Sequence, residues 1–494
     1  MAILTVHQGH KTIKYTFSAP ASLSELLAHT GSSISHPCGG RGVCGKCAVV
    51  IDGVVSEPNA AEQRCGVRLA CQTIIHGDAS ITLPQMLPMT QIAGGKQETI
   101  SPTAPMSGKI GAAVDIGTTT LALLLYDLNN GRCLGAASML NPQTAVAADV
   151  IGRIDAAMKG RACELQHQIS SAINALMTSA CSQTDISPAC VESIVLTGNT
   201  TMLYLLTGKD PAALSHAPFR ADCLFGQEIH LKNRIAYLPD CMHAFVGADT
   251  TCALVASGML EESATSLLCD VGTNGELALW HHGQLYIAST AAGPAFEGAG
   301  ISCGCGSIPG AIDQVYAAEG KIHCTTIGGH QAIGLCGSGL VDAVAVMLEM
   351  ELLDETGFME EETLTLCDGI VLKQSDIRAV QLAKAATYAG IMSLLYAADC
   401  TCDQVEHVYM AGGFGSRLNI CNAARIGLIP GDLTGKIKVL GNAALDGAAQ
   451  LLMNTELRQK CSAIRTLAQH VRLDGNPCFA QCYVDAMLFP NNFT

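Results

Sequence analysis

Over the first 84 residues the apolar positions come in short alternating runs. "ILTVHQG", "TIKYTF", "KCAVVIDG" and "ASITLP" carry the two-residue period of half-buried strands, and "SLSELLAHTG" reads as a helix stopped by glycine. From residue 109 the runs lengthen. "KIGAAVDIGTTTLALLLYDLNNGRCLGAASML" (109–140) predicts a strand ending at Asp115, a Gly-Thr turn, a second strand, a turn at Asn129–Gly131 and a third strand. "LCDVGTNGELALWHHGQLYIAST" (268–290) repeats that order from Asp270. Two matching hairpins so far apart imply two similar halves that face each other across a cleft.

Between the hairpins, "GRACELQHQISSAINALMTSAC" predicts an amphipathic helix, "SIVLTGN" a strand, and "TTMLYLLTG" a helix that starts at a threonine cap. "AFVGADTTCALVASG" (244–258) repeats strand, turn and helix, so Asp249 reads first as a helix cap and second as a residue of the cleft. Residues 84–107 hold prolines, Gly94-Gly95 and small polar residues, the composition of a linker that is semi-extended at its prolines and flexible at its glycines.

At 494 residues the chain has material for about three units. Its net charge of −15 arises wholly beyond residue 87, since the first 87 residues are close to neutral, and such an acidic body argues against nucleic acid. No run approaches the ~20 apolar residues of a membrane span. The N-terminus lacks the basic start and apolar core of a signal peptide, so a cytoplasmic location is expected. In that compartment the 24 cysteines are expected to be reduced, most of them as small buried hydrophobes.

Four cysteines stand apart. Cys38, Cys44 and Cys47 lie in "HPCGGRGVCGKC", and Cys71 follows in "RLAC". Three thiols on one tight loop and a fourth from a distant segment suit a 2Fe–2S cluster, close to the C-x4-C-x2-C…C spacing with one residue added to the first gap. Zinc prefers paired knuckles, and only one C-x2-C pair occurs here. Cys65, six residues before Cys71, is read as structural. Across residues 1–84 this set resembles the ferredoxin-type 2Fe–2S family, and its four cysteines match one by one.

The repeated hairpins carry a second chemistry. Backbone N–H groups and hydroxyls of a Gly/Thr turn cradle phosphate oxygens, and an aspartate at the strand end holds Mg²⁺ through water or orients a nucleophilic water. The phosphate-binding candidates are Gly117, Thr118, Thr119 and Thr120 in the first turn, and Gly272, Thr273, Asn274 and Gly275 in the second. Asp115, Asp270 and Glu276 all qualify as the catalytic base.

This arrangement resembles the acetate kinase, sugar kinase, heat-shock chaperone and actin superfamily of ATP-binding proteins. "DIGTTT" and "DVGTNGE" match its two phosphate loops. "HVYMAGGFG" (407–415) looks like its adenosine motif, which implies that Gly412, Gly413 and Phe414 border the nucleotide. "GNAALDGAA" (441–449) looks like its small-residue hinge helix. No sugar pocket is recognisable, and Asn274 and Glu276 depart from the kinase pattern. The expected fold is an α+β ferredoxin (β-grasp) domain at 1–87 and a linker at 88–109. An α/β two-lobed actin-like ATPase domain with duplicated βββαβα halves follows, at 110–265 and 266–494.

Along nearly the whole chain, these motifs together with "GNTTMLYLLTG", "FVGADTTCA", "AGPAFEGA" and "GLCGSGLVDA" resemble the reductive activators of corrinoid proteins. The resemblance implies ATP-dependent transfer of one electron from the cluster to Co(II), regenerating Co(I) for anaerobic methyl transfer. It implies a 2Fe–2S cluster, ATP and Mg²⁺ as cofactors. Its partners would be the corrinoid protein of a methyltransferase system and a cellular low-potential reductant, with pairing to a second copy of the chain left open. Longer relatives carry an extra domain after the ferredoxin, and here the linker runs straight into the first phosphate loop. Two other readings remain: an ATP-dependent electron donor to another low-potential enzyme, of the dehydratase-activator type, and a redox-sensing regulator that binds nucleotide without turnover.

Overall fold

The computed structural model of the protein describes residues 1–8, 11–30, 34, 42, 47–83, 97–231, 234–272, 274–367, 369–412 and 418–490. In the N-terminal unit, strand Ala2–Gln8 pairs antiparallel with Lys11–Phe17 and parallel with Ile74–Thr82, whose other edge takes Ala48–Val55. Alternation drives this sheet: Leu4 and Val6 are fully buried while Ile3 faces out. Leu23, Leu26 and Leu27, spaced three and four apart on the helix Leu23–His29, fill the same core. This is a β-grasp unit.

The rest of the chain forms two six-stranded sheets. In the first, Ile110–Ile116 is flanked by Thr120–Asp127 and then Cys133–Leu140 on one side. On its other side lie Val191–Gly198 and Arg234–Leu238, both in parallel register. In the second, Ser266–Val271 has Gly275–His281 and Gln284–Thr290 on one side, and His407–Ala411 and Ile437–Gly441, both parallel, on the other. Five strands thus recur in the same order and sense, which is the duplicated α/β architecture of actin-like ATPases. The βββαβα pattern is interrupted in the second half. Between its third strand and the helix Gln374–Ala397 stand a further three-stranded sheet (311–335), the helix Gly337–Glu349 and the hairpin Thr363–Lys373. Among the described residues, no helix is long and apolar enough to cross a membrane.

The halves meet at two helices, Ala248–Ser257 and Ala443–Met453. They approach so closely that a Cβ on Gly447 would lie 2.0 Å from the Cys252 carbonyl oxygen, so only glycine fits there.

Part of the linker is fixed rather than free. The Ile100 N–H donates to the Gly131 carbonyl at 3.0 Å, and Thr103 and Met106 donate to the carbonyls of Met453 and Leu452 at the end of the second hinge helix. Thr455 N–H returns a bond to the Ala104 carbonyl at 2.7 Å. Residues 84–96, including Gly94-Gly95, lie outside the described residues.

Candidate functional site

The first hairpin turn is built from outside inward. Its carbonyls face the scaffold: Asn141 Nδ2 donates to Gly117 O at 2.8 Å, buried Arg153 donates to Thr118 O, and Asn141 N–H donates to Thr119 O at 2.8 Å. In a trans peptide the next N–H points opposite to each carbonyl. The amides of Thr118, Thr119 and Thr120 are therefore turned away from the scaffold, as an anion-binding nest requires. Burial lowers the Arg153 guanidinium to about 9, which still leaves a cation behind the loop at neutral pH. Gly117 is needed because a Cβ there would sit 2.5 Å from the Thr120 carbonyl oxygen.

The turn opens onto a cleft between the halves. Asp115, Gly117, Thr118, Thr119 and Thr120 line it from the first half, and Asp270, Gly272, Asn274, Glu276 and Gly412 from the second. Gly275 opens the next strand, with Thr290 Oγ1 2.5 Å from where a Cβ would be. Asp115 and Asp270 occupy the ends of the central strands, beside the parallel strands that end at Gly198 and Ala411. That is where open α/β sheets place ligands. Thr273, Gly413 and Phe414 lie outside the described residues.

Four further cleft residues escaped the sequence assignment or were left undecided by it. Asn199, and not the threonine expected from the sequence, caps its helix through Met202 N–H, and it donates from Nδ2 to Thr118 Oγ1 at 2.9 Å. Asn442 caps through Leu445 N–H and donates to Asp115 Oδ2 at 3.0 Å, reaching from one half to the other. Asp249 lines the cleft and also accepts from Thr250 N–H at the start of its own helix. Glu297 accepts from the Thr119 hydroxyl. The signal for the two asparagines was a repeated Gly-Asn at a strand-to-helix corner, in "TGNTT" and "GNAAL".

The carboxylates of the cleft share one electrostatic problem. Desolvation, and then the charge of Asp249, push Asp115 up to about 7 against the pull of Asn442. Desolvation, followed by Asp249, Asp115 and Glu297, does the same to Asp270, also to about 7. Desolvation raises Asp249 to about 6, and desolvation with Asp249 and Asp270 raises Glu276 well above its ordinary range. Among the described residues lining the cleft there is no lysine or arginine. The donor set therefore suits a hard divalent cation held through water and phosphate. No group of three His, Cys, Asp or Glu side chains among the described residues could hold a metal ion.

A pH dependence follows. Between about 4 and 7 the folded chain holds protons on these carboxyls that the unfolded chain has released, so stability falls as pH rises through that window and the loss is complete above it. Melting temperatures of the nucleotide-free protein should show this decline, and Asp249→Asn should flatten it by removing the charge that faces both aspartates. An Asp249→Asn protein with the parental slope would exclude that shared repulsion.

In the N-terminal unit, Cys47 and Cys71, 24 residues apart, bring their sulfurs to 3.3 Å, which suits two thiolates on one iron. Gly42, at φ 69°, packs so tightly that a Cβ would lie 2.9 Å from the Ala61 Cβ. Cys38 and Cys44 lie outside the described residues. Elsewhere, Cys305 of the "CGCG" stretch lines the cleft together with Gly306 and Ser307.

Comparison with known proteins agrees with this two-part layout. Residues 6–76 match a model described as a 2Fe–2S iron–sulfur cluster binding domain. Residues 110–262 match the RACo middle region, and 264–494 the C-terminal domain of RACo, the ASKHA domain. The corrinoid activation enzyme RamQ of Eubacterium limosum is 34% identical over 77% of this chain and 70% of its own length. A Co(II) methylated amine-specific corrinoid protein reductase of Methanosarcina barkeri is 26% identical, over 76% of each chain. A solved structure entitled reductive activator for corrinoid, iron–sulfur protein superposes with a TM-score of 0.73 at 25% identity. That match covers 99% of this chain and 98% of the other.

Proposed function

Since the chain belongs to the family of corrinoid activation enzymes, we propose that it uses ATP to pass one electron to the cobalt of a partner corrinoid protein, returning Co(II) to Co(I). Cys38, Cys44, Cys47 and Cys71 would hold the 2Fe–2S cluster, which when bound supplies single-electron chemistry fed by a cytoplasmic low-potential reductant. The unit 1–87 carries that chemistry, 88–109 joins it to the body, and the lobes 110–265 and 266–494 close on the nucleotide.

Within the cleft, the outward-braced turn 117–120 would present amides to the phosphates, and the turn 272–275 would border them from the second half. Asp115, Asp270 and Glu276 would hold the waters around Mg²⁺, and Gly412, Gly413 and Phe414 would border the adenosine. Asn442, on Asp115, joins the lobes at the catalytic floor, so a change at the phosphates is felt in the hinge. ATP is needed because a downhill electron requires no help. It matters only where the acceptor is harder to reduce than the donor, and ligation at the metal sets that potential. The acidic body docks the corrinoid protein, and nucleotide-driven closure shifts the complex towards the state in which cobalt accepts the electron.

The observation that carries this reading is the presence, in one chain, of the Cys47–Cys71 sulfur pair and a two-loop carboxylate cleft. The test supplies a reductant too weak to reduce free Co(II) corrinoid. Co(I) absorption should rise only when the protein, ATP and Mg²⁺ are all present, and the corrinoid protein should in turn stimulate ATP hydrolysis. Equal Co(I) yield without nucleotide would leave an ordinary electron carrier. Intact ATPase activity with no Co(I) would point to another low-potential acceptor.

A further inference from the structure

Glu297 ends the short turn Pro294–Glu297, which is pinned at both sides. Gly293 and Gly298 both adopt φ 78°, and a Cβ on Gly298 would lie 2.4 Å from the Cys305 carbonyl oxygen. Phe296, only 1% exposed, anchors the turn in the core of the second half. The carboxylate is thus held in place rather than swinging on a loop, and it touches both phosphate turns. Oε2 accepts from the Thr119 hydroxyl, and a Cβ on Gly272 would lie 3.1 Å from Oε1.

A carboxylate between two phosphate-binding turns repels the very group those turns hold. If its task were only to tie the lobes together, a neutral glutamine would bond Thr119 equally well without that repulsion. Asp115, Asp270 and Glu276 are placed differently. Asp115 is engaged by Asn442 at the cleft floor, and Asp270 and Glu276 face each other across their hairpin, with Glu276 only 8% exposed. Glu297 remains partly exposed at the cleft, where water can reach it.

We propose that Glu297 orients and deprotonates the water that hydrolyses ATP. This rests on the ATPase reading above. The water oxygen bonds to the terminal phosphorus as the bond to the bridging oxygen breaks. ADP leaves with that electron pair, and the water proton passes to the Glu297 carboxylate and then to solvent, giving ADP and inorganic phosphate. Thr119 keeps the carboxylate aimed, so hydrolysis proceeds only when the two turns are brought together.

The test uses the full-length protein with its cluster. Glu297→Gln keeps an acceptor for Thr119 and should lower kcat by on the order of 10²-fold or more, with KM and nucleotide affinity little changed. Glu297→Ala should lose activity likewise and regain part of it with added formate, a small carboxylate able to enter the vacated space. Parental kcat in Glu297→Gln would overturn the assignment. So would a joint loss of nucleotide affinity and kcat that formate does not rescue, because that marks a structural role. A parent protein that hydrolyses no ATP would overturn instead the reading on which the assignment rests.

Discussion

A Cys71→Ala protein purified without oxygen is expected to be colourless, while Cys65→Ala keeps a red-brown colour and the two irons and two sulfides of a 2Fe–2S cluster. The geometry behind this starts at Glu62. Its Oε1 accepts from Leu69 N–H at 3.0 Å, Arg68 Nε at 2.9 Å and Thr73 Oγ1 at 2.9 Å, and Oε2 accepts from Asn59 N–H. Those bonds hold the carboxyl below its usual range even though desolvation, the largest single influence, pushes it up. They also fix the segment 68–73 as a rigid arm. The arm sets the Cys71 sulfur 3.3 Å from that of Cys47, which is 1% exposed. Cys65 ends the helix Ala60–Cys65 before the left-handed Gly66, ahead of the arm in the chain. Iron and sulfide assays decide the matter. Loss of iron in Cys65→Ala with retention in Cys71→Ala would reverse the ligand assignment. ATP hydrolysis without a partner should be untouched in either variant.

The second large effect is expected at the cleft floor. Asp115→Asn and Asp270→Asn should each lower ATP hydrolysis by about 10²-fold or more while leaving the cluster intact. Asparagine is chosen because it keeps the volume and removes only the charge. Both carboxyls are pushed up to about 7 by desolvation and then by Asp249, so at pH 8 each folded chain carries charge where burial resists it. The same variants should therefore melt at a higher temperature than the parent above pH 7. More stability with less activity separates a lost chemical group from a damaged fold, as expected where function maintains strain. Parental hydrolysis in both variants would remove these aspartates from the mechanism.

The strands and the duplication were legible because hydrophobic periodicity and turn chemistry are local. Asp115 and Asp270 each open a Gly-Thr hairpin in an apolar setting, so pattern alone locates them. Asn199 and Asn442 were hidden by a competing local role, since each satisfies a helix N-terminus with its oxygen. The second role, carried by the Nδ2 donor, reaches 81 residues away to Thr118 and 327 residues away to Asp115. Arg153 lies in the helix Val150–Ala156 and Glu297 in a short turn between two glycines, and neither local setting marks a cleft residue. Their meaning arises only when Thr118 and Thr119 arrive from elsewhere in the chain. The insertion between residues 291 and 373 was equally opaque, because its short strands complete a separate sheet.

The strap at Ile100–Met106 sets the range of the electron carrier. Leu83 N–H still bonds to the N-terminal sheet at His7, and Ile100 is already bonded to the body. Only residues 84–99 lie between these fixed points, and whatever path they take, chain geometry limits their span to roughly 55 Å. A carrier confined to that radius meets its own ATPase at an effective concentration in the millimolar range, far above that of a free ferredoxin. The strap is tied at the end of the hinge helix, beside Met453, so any movement of that helix carries the strap with it. Electron delivery thereby favours acceptors seated on the same molecule, and the point from which the carrier reaches them is set by the hinge helix.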